Sequence, residues 1–259
     1  MEWEKKRELE YSGGDGVENV GAFFDIDGTL YRNSLMIQHF KKLIKYEVID
    51  PAIWHNHVKH TYYEWEKRYG DFEDYLEELA EFYVRELKGV NKDYIDFIAN
   101  QVIKINGDQV YKYTRSRIEW HKNSGHKVFF ISGSPDFLVE KMAKKYGVTE
   151  YRGSEYIVDE ENNFTGEIVR MWDSENKQRT IDEFVSRFDV DLNKSYSYGD
   201  TAGDLSMLKM VENPIAINPN KNLLKAIKED EELYKKIDII VERKDLIYKL
   251  SPDVEIIDI

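Results

Sequence analysis

No cysteine occurs among the 259 residues. That absence excludes disulfides, thiolate metal sites and cysteine nucleophiles, so metal or covalent chemistry must fall to oxygen and nitrogen groups. Also missing is any run of about 18 apolar residues, the length a helix needs to span a bilayer. The first residues, MEWEKKRELEYSGGDG, are charged and lack the apolar stretch of a secretory signal, so a cytoplasmic protein is expected. Positive charge is in deficit: 37 Lys and Arg stand against 50 Asp and Glu, a net charge of -13. Such a chain is poorly matched to a nucleic-acid backbone or an anionic membrane, and neither is expected as a partner. An anionic substrate must therefore meet a metal or a placed Lys or Arg. Neither an internal repeat nor a low-complexity tract is present.

What is present suits a globular protein: 41% apolar and 14% aromatic residues, in a length that fits one large domain or a core with an inserted one. Residues 1–18 read as a polar leader. A first strand is expected at 20–24. From 33 to 106 the apolar spacing is helical, through Leu35, Phe40, Leu43 and Ile44, then Tyr75, Leu79, Phe82 and Tyr83, then Phe97, Ile98 and Val102. Pro51 is expected to open one of these helices and Asp71 to cap another. Afterwards the chain alternates. Helices are expected at 108–123, from Pro135, at 175–188, from Gly203 and around Leu223. Strands are expected at 128–131, 195–198, near Ile215 and near Ile239, with a hairpin of 155–158 and 164–169 turning at 161–163. Alternation of this kind predicts an α/β fold: a doubly wound, mostly parallel sheet covered on both faces.

Three apolar strands run straight into small or acidic residues: Asp25-Ile26-Asp27-Gly28-Thr29, Ser132-Gly133-Ser134-Pro135, and Gly199-Asp200-Thr201-Ala202-Gly203-Asp204. Ligands of open α/β sheets bind outside the carboxyl ends of the strands, so neighbouring strands would bring these clusters to one mouth. Two carboxylates as close as Asp25 and Asp27 repel unless a cation or a shared proton offsets them. Asp25 and Asp200 can offer carboxylate oxygens to an ion and Asp27 its carbonyl, a hard-oxygen set that suits Mg²⁺. Gly28, Gly133 and Ser134 leave room for an anion to approach backbone N–H groups, and a helix starting at Pro135 aims its N-terminus at the same point.

This combination closely resembles the haloacid dehalogenase superfamily of phosphohydrolases, in its phosphoserine-phosphatase-like branch. DIDGT fits that family's first motif, Ser132 after VFFI its second, and GDTAGD its fourth. The third is a single Lys. Lys177 is assigned to it, 45 residues after Ser132 and 23 before Asp200, with Lys194 as the nearest competitor. The branch also carries a helical cap between its first two motifs and a hairpin phrase like Asn-Phe-Thr-Gly-Glu-Ile, found here at 163–168. The resemblance spans about residues 20–220. It implies a Rossmann-like core at 19–32 and 107–259 with a helical cap at 33–106.

The function it implies is Mg²⁺-dependent hydrolysis of a small phosphorylated metabolite. Asp25 would be the nucleophile and Asp27 the acid and base. Lys177, Gly28, Thr29, Ser132 and Gly133 would hold phosphate. Asp25, Asp27 and Asp200 would bind the metal, with Asp204 as ligand or support. Phosphotransfer to another hydroxyl and a non-catalytic regulatory role on the same scaffold are the alternatives. The chain departs from phosphoserine phosphatases at Gly28, where they have Ser, at Gly203, where they have Asn, and near Ser34, where they place a Glu. Those departures point away from phosphoserine as substrate. His55, His57 and His60 read as scattered surface residues, the aromatic residues of the insert as helix-helix core, Arg115 and Arg117 as surface residues, and 229–232 as a solvated helix end.

Overall fold

The structure is a computed structural model and describes residues 19–257. The expected leader at 1–18 lies outside them. An eight-stranded sheet organises the molecule, in the order β4-β3-β2-β1-β5-β6-β7-β8. Its strands are β1 (Gly21–Phe24), β2 (Lys127–Pro135), β3 (Glu150–Val158), β4 (Phe164–Val169), β5 (Tyr196–Gly199), β6 (Asn213–Ile217), β7 (Asp238–Arg243) and β8 (Leu246–Leu250). From β3 across to β7 neighbours are parallel, while β4 and β8 close the two edges antiparallel. This is the expected α/β fold.

β1 lies at the centre because it can be buried on both faces: Gly21, Ala22, Phe23 and Phe24 are all inaccessible. Phe23, with Phe129 and Ile131 of β2, packs on the side of helix Ser174–Phe188, against Ile181 and Phe184. Phe24 and Phe130 face the opposite layer, against Ile118, Leu138 and Met142. The chain moves outward from β1 through β2 and β3, then returns to β5 on the other side of β1. The strand order therefore reverses beside β1, the place where open sheets form a crevice.

Between β1 and β2 come α1 (Leu35–Lys45), α2 (Pro51–Ile53), a π-helical turn at Trp54–Val58, α3 (Lys59–Glu66), α4 (Phe72–Leu87), α5 (Lys92–Asn106) and α6 (Lys112–Asn123). Ser34 and Asn91 cap α1 and α5 with their side chains. Pro51 opens α2 as expected. Asp71 occupies the cap position of α4 but makes no capping hydrogen bond with its side chain. Leu79, Tyr83 and Ile98 of this segment belong to the same buried cluster as Phe24 and Phe130, so the helical segment and the sheet share one core. The aromatic residues stack among themselves, Trp65 on Tyr75 and Trp54 against Tyr62.

After β2 the helices are α7 (Asp136–Tyr146), α8 (Ser174–Phe188), α9 (Leu205–Met210), α10 (Lys221–Glu229) and α11 (Glu231–Lys236). Several expectations need correction. β2 continues to Pro135, and α7 begins one residue later, because the strand pairs with β3 a second time at Pro135 and Ser154. The acidic run at 229–232 is the solvated helix end expected: α10 stops at Glu229, and Asp230 caps α11 through the Leu233 N–H. β8 was not expected at all. Its hairpin turns at Lys244, in the left-handed region with φ 53°.

Candidate active site

Asp25 follows β1 directly, and its N–H bonds the Tyr198 carbonyl of β5 at 3.0 Å, so the ladder itself fixes its backbone. The turn after it is tight: Leu30 and Tyr31 N–H groups both return to the Ile26 carbonyl, at 2.9 and 2.7 Å. Gly28 holds φ +86°, and a Cβ there would lie 2.0 Å from Asp200 Oδ2. Only glycine lets this turn reach the Asp200 loop at that distance. The Ser that phosphoserine phosphatases place at this position has no room in the present geometry.

The three clusters meet at the carboxyl ends of β1, β2 and β5. Lys177, from the first turns of α8, sits between two carboxylates: Nζ is 2.7 Å from Asp25 Oδ1 and 2.5 Å from Asp204 Oδ1. Lys194, its competitor, is exposed in the turn that precedes β5, at the opposite end of that strand. Asp204 takes the N–H groups of Asp200 and Thr201 on its other oxygen, both at 3.0 Å. A Cβ on Gly199 would meet the Asp204 side chain at 2.4 Å. Thr29 turns its hydroxyl to Asp200 Oδ1 at 2.9 Å. Asp27 points elsewhere. Its carboxylate takes the Leu35 N–H at the start of α1, at 2.8 Å, and the Ser134 hydroxyl. Ser132 is buried, with its Oγ 3.2 Å from the Ser134 N–H.

Burial governs the electrostatics. It pushes the Asp25 carboxyl up to about 8, against the pull of Lys177 and with a further push from Asp204. Asp200 is held well above the ordinary carboxylate range by burial and by Asp25 and Asp204. Asp27 is pushed up to about 6 by burial, against its hydrogen bonds from Ser134 and Leu35. Burial works against the Lys177 ammonium, but Asp204 and Asp25 outweigh it and keep it charged. Three carboxylates around one ammonium, Asp25 and Asp204 buried and Asp200 half-buried, leave the pocket short of positive charge. Asp25, Asp200 and Asp204 each bring a ligand oxygen within 4.8 Å of the others, the group of this kind among the described residues. An all-oxygen set that is short of positive charge fits a hard divalent cation.

Other sequence readings fall elsewhere. His55, His57 and His60 are exposed, as expected, and His57 stacks on Phe82. Arg117 is half-buried rather than exposed. Its guanidinium lies 3.9 Å from the Trp120 ring centre and donates to the Tyr198 hydroxyl at 3.2 Å. Gly133 was expected to open space for an anion. Instead a Cβ there would lie 2.4 Å from Trp172 Cδ1, and one on Gly203 would lie 2.6 Å from the Trp172 carbonyl oxygen. Trp172 was missed in the sequence because nothing in its spacing ties it to either motif.

Known proteins are similar to this chain in sequence and in fold. The chain is 26% identical over 215 residues to the inhibition of morphological differentiation protein of Streptomyces azureus, covering 80% of this chain and 76% of that one. It is 24% identical over 216 residues to a histidinol-phosphatase of Neisseria meningitidis serogroup C, covering 80% and 94%. Its fold is shared with a phospho-aspartyl intermediate analogue structure of phosphoserine phosphatase, at a TM-score of 0.57 and 21% identity, covering 88% of this chain and 95% of that one. The family model of haloacid dehalogenase-like hydrolases matches residues 22–209, which holds every residue of the site, and the chain belongs to that family.

Proposed function

We propose that the protein is a Mg²⁺-dependent phosphatase that hydrolyses a small phosphomonoester through a phospho-Asp25 intermediate. One observation carries the reading: Asp25 lies at the crevice, 2.7 Å from the Lys177 ammonium and grouped with Asp200 and Asp204. A nucleophile that is itself an anion needs that positive charge before it can approach a phosphate. Asp25, Asp200 and the Asp27 carbonyl are the ligands we assign to Mg²⁺. Asp204, with both oxygens engaged by Lys177, Asp200 and Thr201, supports them. The ion supplies neutralising charge for phosphoryl oxygens.

In the first step an Asp25 oxygen attacks phosphorus and the ester P–O bond breaks. Asp27, titrating near 6, gives its proton to the leaving oxygen. In the second step Asp27 takes a proton from water, whose oxygen attacks phosphorus. The Asp25–phosphorus bond breaks and inorganic phosphate leaves. Ser132, the Ser134 N–H, Gly28, Thr29 and Lys177 surround the phosphate position. Residues 33–106 act as the cap: the start of α1 holds Asp27 through Leu35, and Glu73 of α4 meets Asn220 at 3.0 Å across the mouth. The relatives' names offer histidinol phosphate and phosphoserine as candidates. Gly28 and the capping Ser34 weigh against phosphoserine.

The test is a panel of phosphomonoesters with Mg²⁺, run beside Asp25→Asn. We expect turnover on at least one ester and its loss in the variant, with the circular dichroism spectrum unchanged. Retention of more than a few per cent of activity by Asp25→Asn would exclude Asp25 as nucleophile.

A further inference from the structure

The bulge at the end of β2 carries the assigned phosphate contacts, and something must hold its peptides in one orientation. The peptide between Gly133 and Ser134 is the informative one. Its carbonyl oxygen accepts two donors from outside the loop: Ser154 Oγ of β3 at 2.7 Å and the Trp172 indole N–H. Ser154 Oγ also accepts the Met171 N–H at 3.0 Å, which ties the backbone just before Trp172 to the same point. Peptide groups are planar, and the described residues contain no cis bond, so C=O and N–H point in opposite directions. With its carbonyl held outward by two donors, this peptide must aim the Ser134 N–H inward. That N–H donates to Ser132 Oγ at 3.2 Å, on the side of the hydroxyl assigned to phosphate.

Trp172 reaches further. Its indole fills the space a Cβ on Gly133 would occupy, and its carbonyl does the same at Gly203, at the start of the Asp204 turn. Arg170 lies over the indole face, 5.1 Å from its centre. One residue, through its side chain on one side and its backbone on the other, thus packs between the Ser132 segment and the Asp200 loop. Both glycines follow from it, including the one that stands where related phosphatases carry Asn.

We propose that Trp172 and Ser154 are positioning residues of the phosphate cradle: they clamp the Gly133 carbonyl and so orient the Ser134 N–H toward the phosphate. The proposal rests on the phosphatase reading above. Neither residue is assigned a contact with substrate. Their effect is on how firmly an anion is held, not on the cation at Asp25 and Asp200.

The experiment compares wild type, Trp172→Phe, Ser154→Ala and the double variant, all with Mg²⁺. The readouts are kcat and KM on a chromogenic phosphomonoester, the competitive Ki of inorganic phosphate, the half-saturating Mg²⁺ concentration and Tm. Losing one of two donors to a buried carbonyl should weaken phosphate binding about fivefold in each single variant. With both gone the peptide is free to turn, and the Ki should rise more than tenfold. Half-saturating Mg²⁺ should stay within about twofold. Ser154→Ala removes one oxygen and remains informative if Trp172→Phe loses the fold. An unchanged phosphate Ki in the variants overturns the proposal. So does a parallel loss of phosphate and Mg²⁺ affinity that follows Tm, which would mark a purely structural role. A wild type that neither hydrolyses esters nor binds phosphate removes the phosphatase reading and this one together. A wild type that does both, with variants that match it, removes only this one.

Discussion

At the scale of single residues, Gly28 separates two effects that usually arrive together. Its φ of +86° disfavours any side chain, and a Cβ would also lie 2.0 Å from Asp200 Oδ2. Gly89 has nearly the same φ, +80°, with nothing within 4 Å of the position a Cβ would take. Gly89→Ala therefore measures backbone strain alone, about 1 kcal/mol by urea denaturation. Gly28→Ala adds displacement of Asp200. We expect the same stability loss or more, with half-saturating Mg²⁺ raised at least tenfold, whereas Gly89→Ala leaves it unchanged. Equal Mg²⁺ dependence in the two variants would show that Asp200 does not need the present contact. The carboxylates and Lys177 were legible in the sequence because their chemistry requires those residue types in order along the chain. Trp172 was not. It acts through an indole N–H and a carbonyl on two glycines, and a partner of that kind leaves no spacing to read.

At the scale of elements, the decisive feature is the irregularity in β2. From Ile131 to Pro135 the strand advances four residues while its partner β3 advances two, from Arg152 to Ser154. Three residues, Ser132, Gly133 and Ser134, therefore stand opposite Gly153 alone, a surplus of two that throws them out of the ladder at the mouth, as bulges near active sites do. Gly153 is what lets β3 follow. A Cβ there would lie 2.6 Å from Asp136 Cα, 2.9 Å from its nitrogen and 2.9 Å from the Ser134 carbonyl oxygen. All three are backbone atoms, so no rotamer change relieves the clash. Gly153→Ala should destabilise the protein by about 1–3 kcal/mol in urea denaturation, in line with overpacking at a buried site. It should also weaken phosphate binding, because the bulge shifts. Stability within 0.5 kcal/mol of wild type would mean the two strands separate without strain. The sequence reading stopped β2 at Ile131 because a bulge of Ser and Gly looks like a loop. It missed β8 because an edge strand exposed along Leu246, Ile247 and Tyr248 carries no alternation of buried and exposed positions.

At the scale of the whole molecule, the helical segment and the sheet layer are joined by a shared interior, and His39 sits in that joint. It belongs to α1, lies edge-on to Tyr83 of α4 and Phe137 of α7, and has Nδ1 2.6 Å from the Tyr83 hydroxyl. Burial drives its pKa down to about 3, helped by Lys141 and opposed by the Ile95 backbone contact and Asp96. The folded protein therefore keeps His39 neutral, while the unfolded chain protonates it near 6.5. Below 6.5 the unfolded state binds the extra proton, so this group's contribution is complete above 6.5 and is lost as pH falls toward 3. The loss is about 1.4 kcal/mol per pH unit, or roughly 2 kcal/mol between pH 6.5 and 5. The site carboxylates act in the opposite sense. Asp25, Asp27 and Asp200 titrate above their ordinary range, so the folded state holds protons the unfolded state has released, and acid favours folding through them. The net pH profile of the wild type mixes both signs. His39→Gln isolates one of them, since it removes the imidazole and leaves the carboxylates in place. Urea denaturation from pH 7 to pH 5 should show wild type losing about 2 kcal/mol relative to His39→Gln. Parallel profiles would mean that His39 gains its proton without unfolding, and that the joint between helical segment and sheet opens in acid while the rest of the fold stays intact.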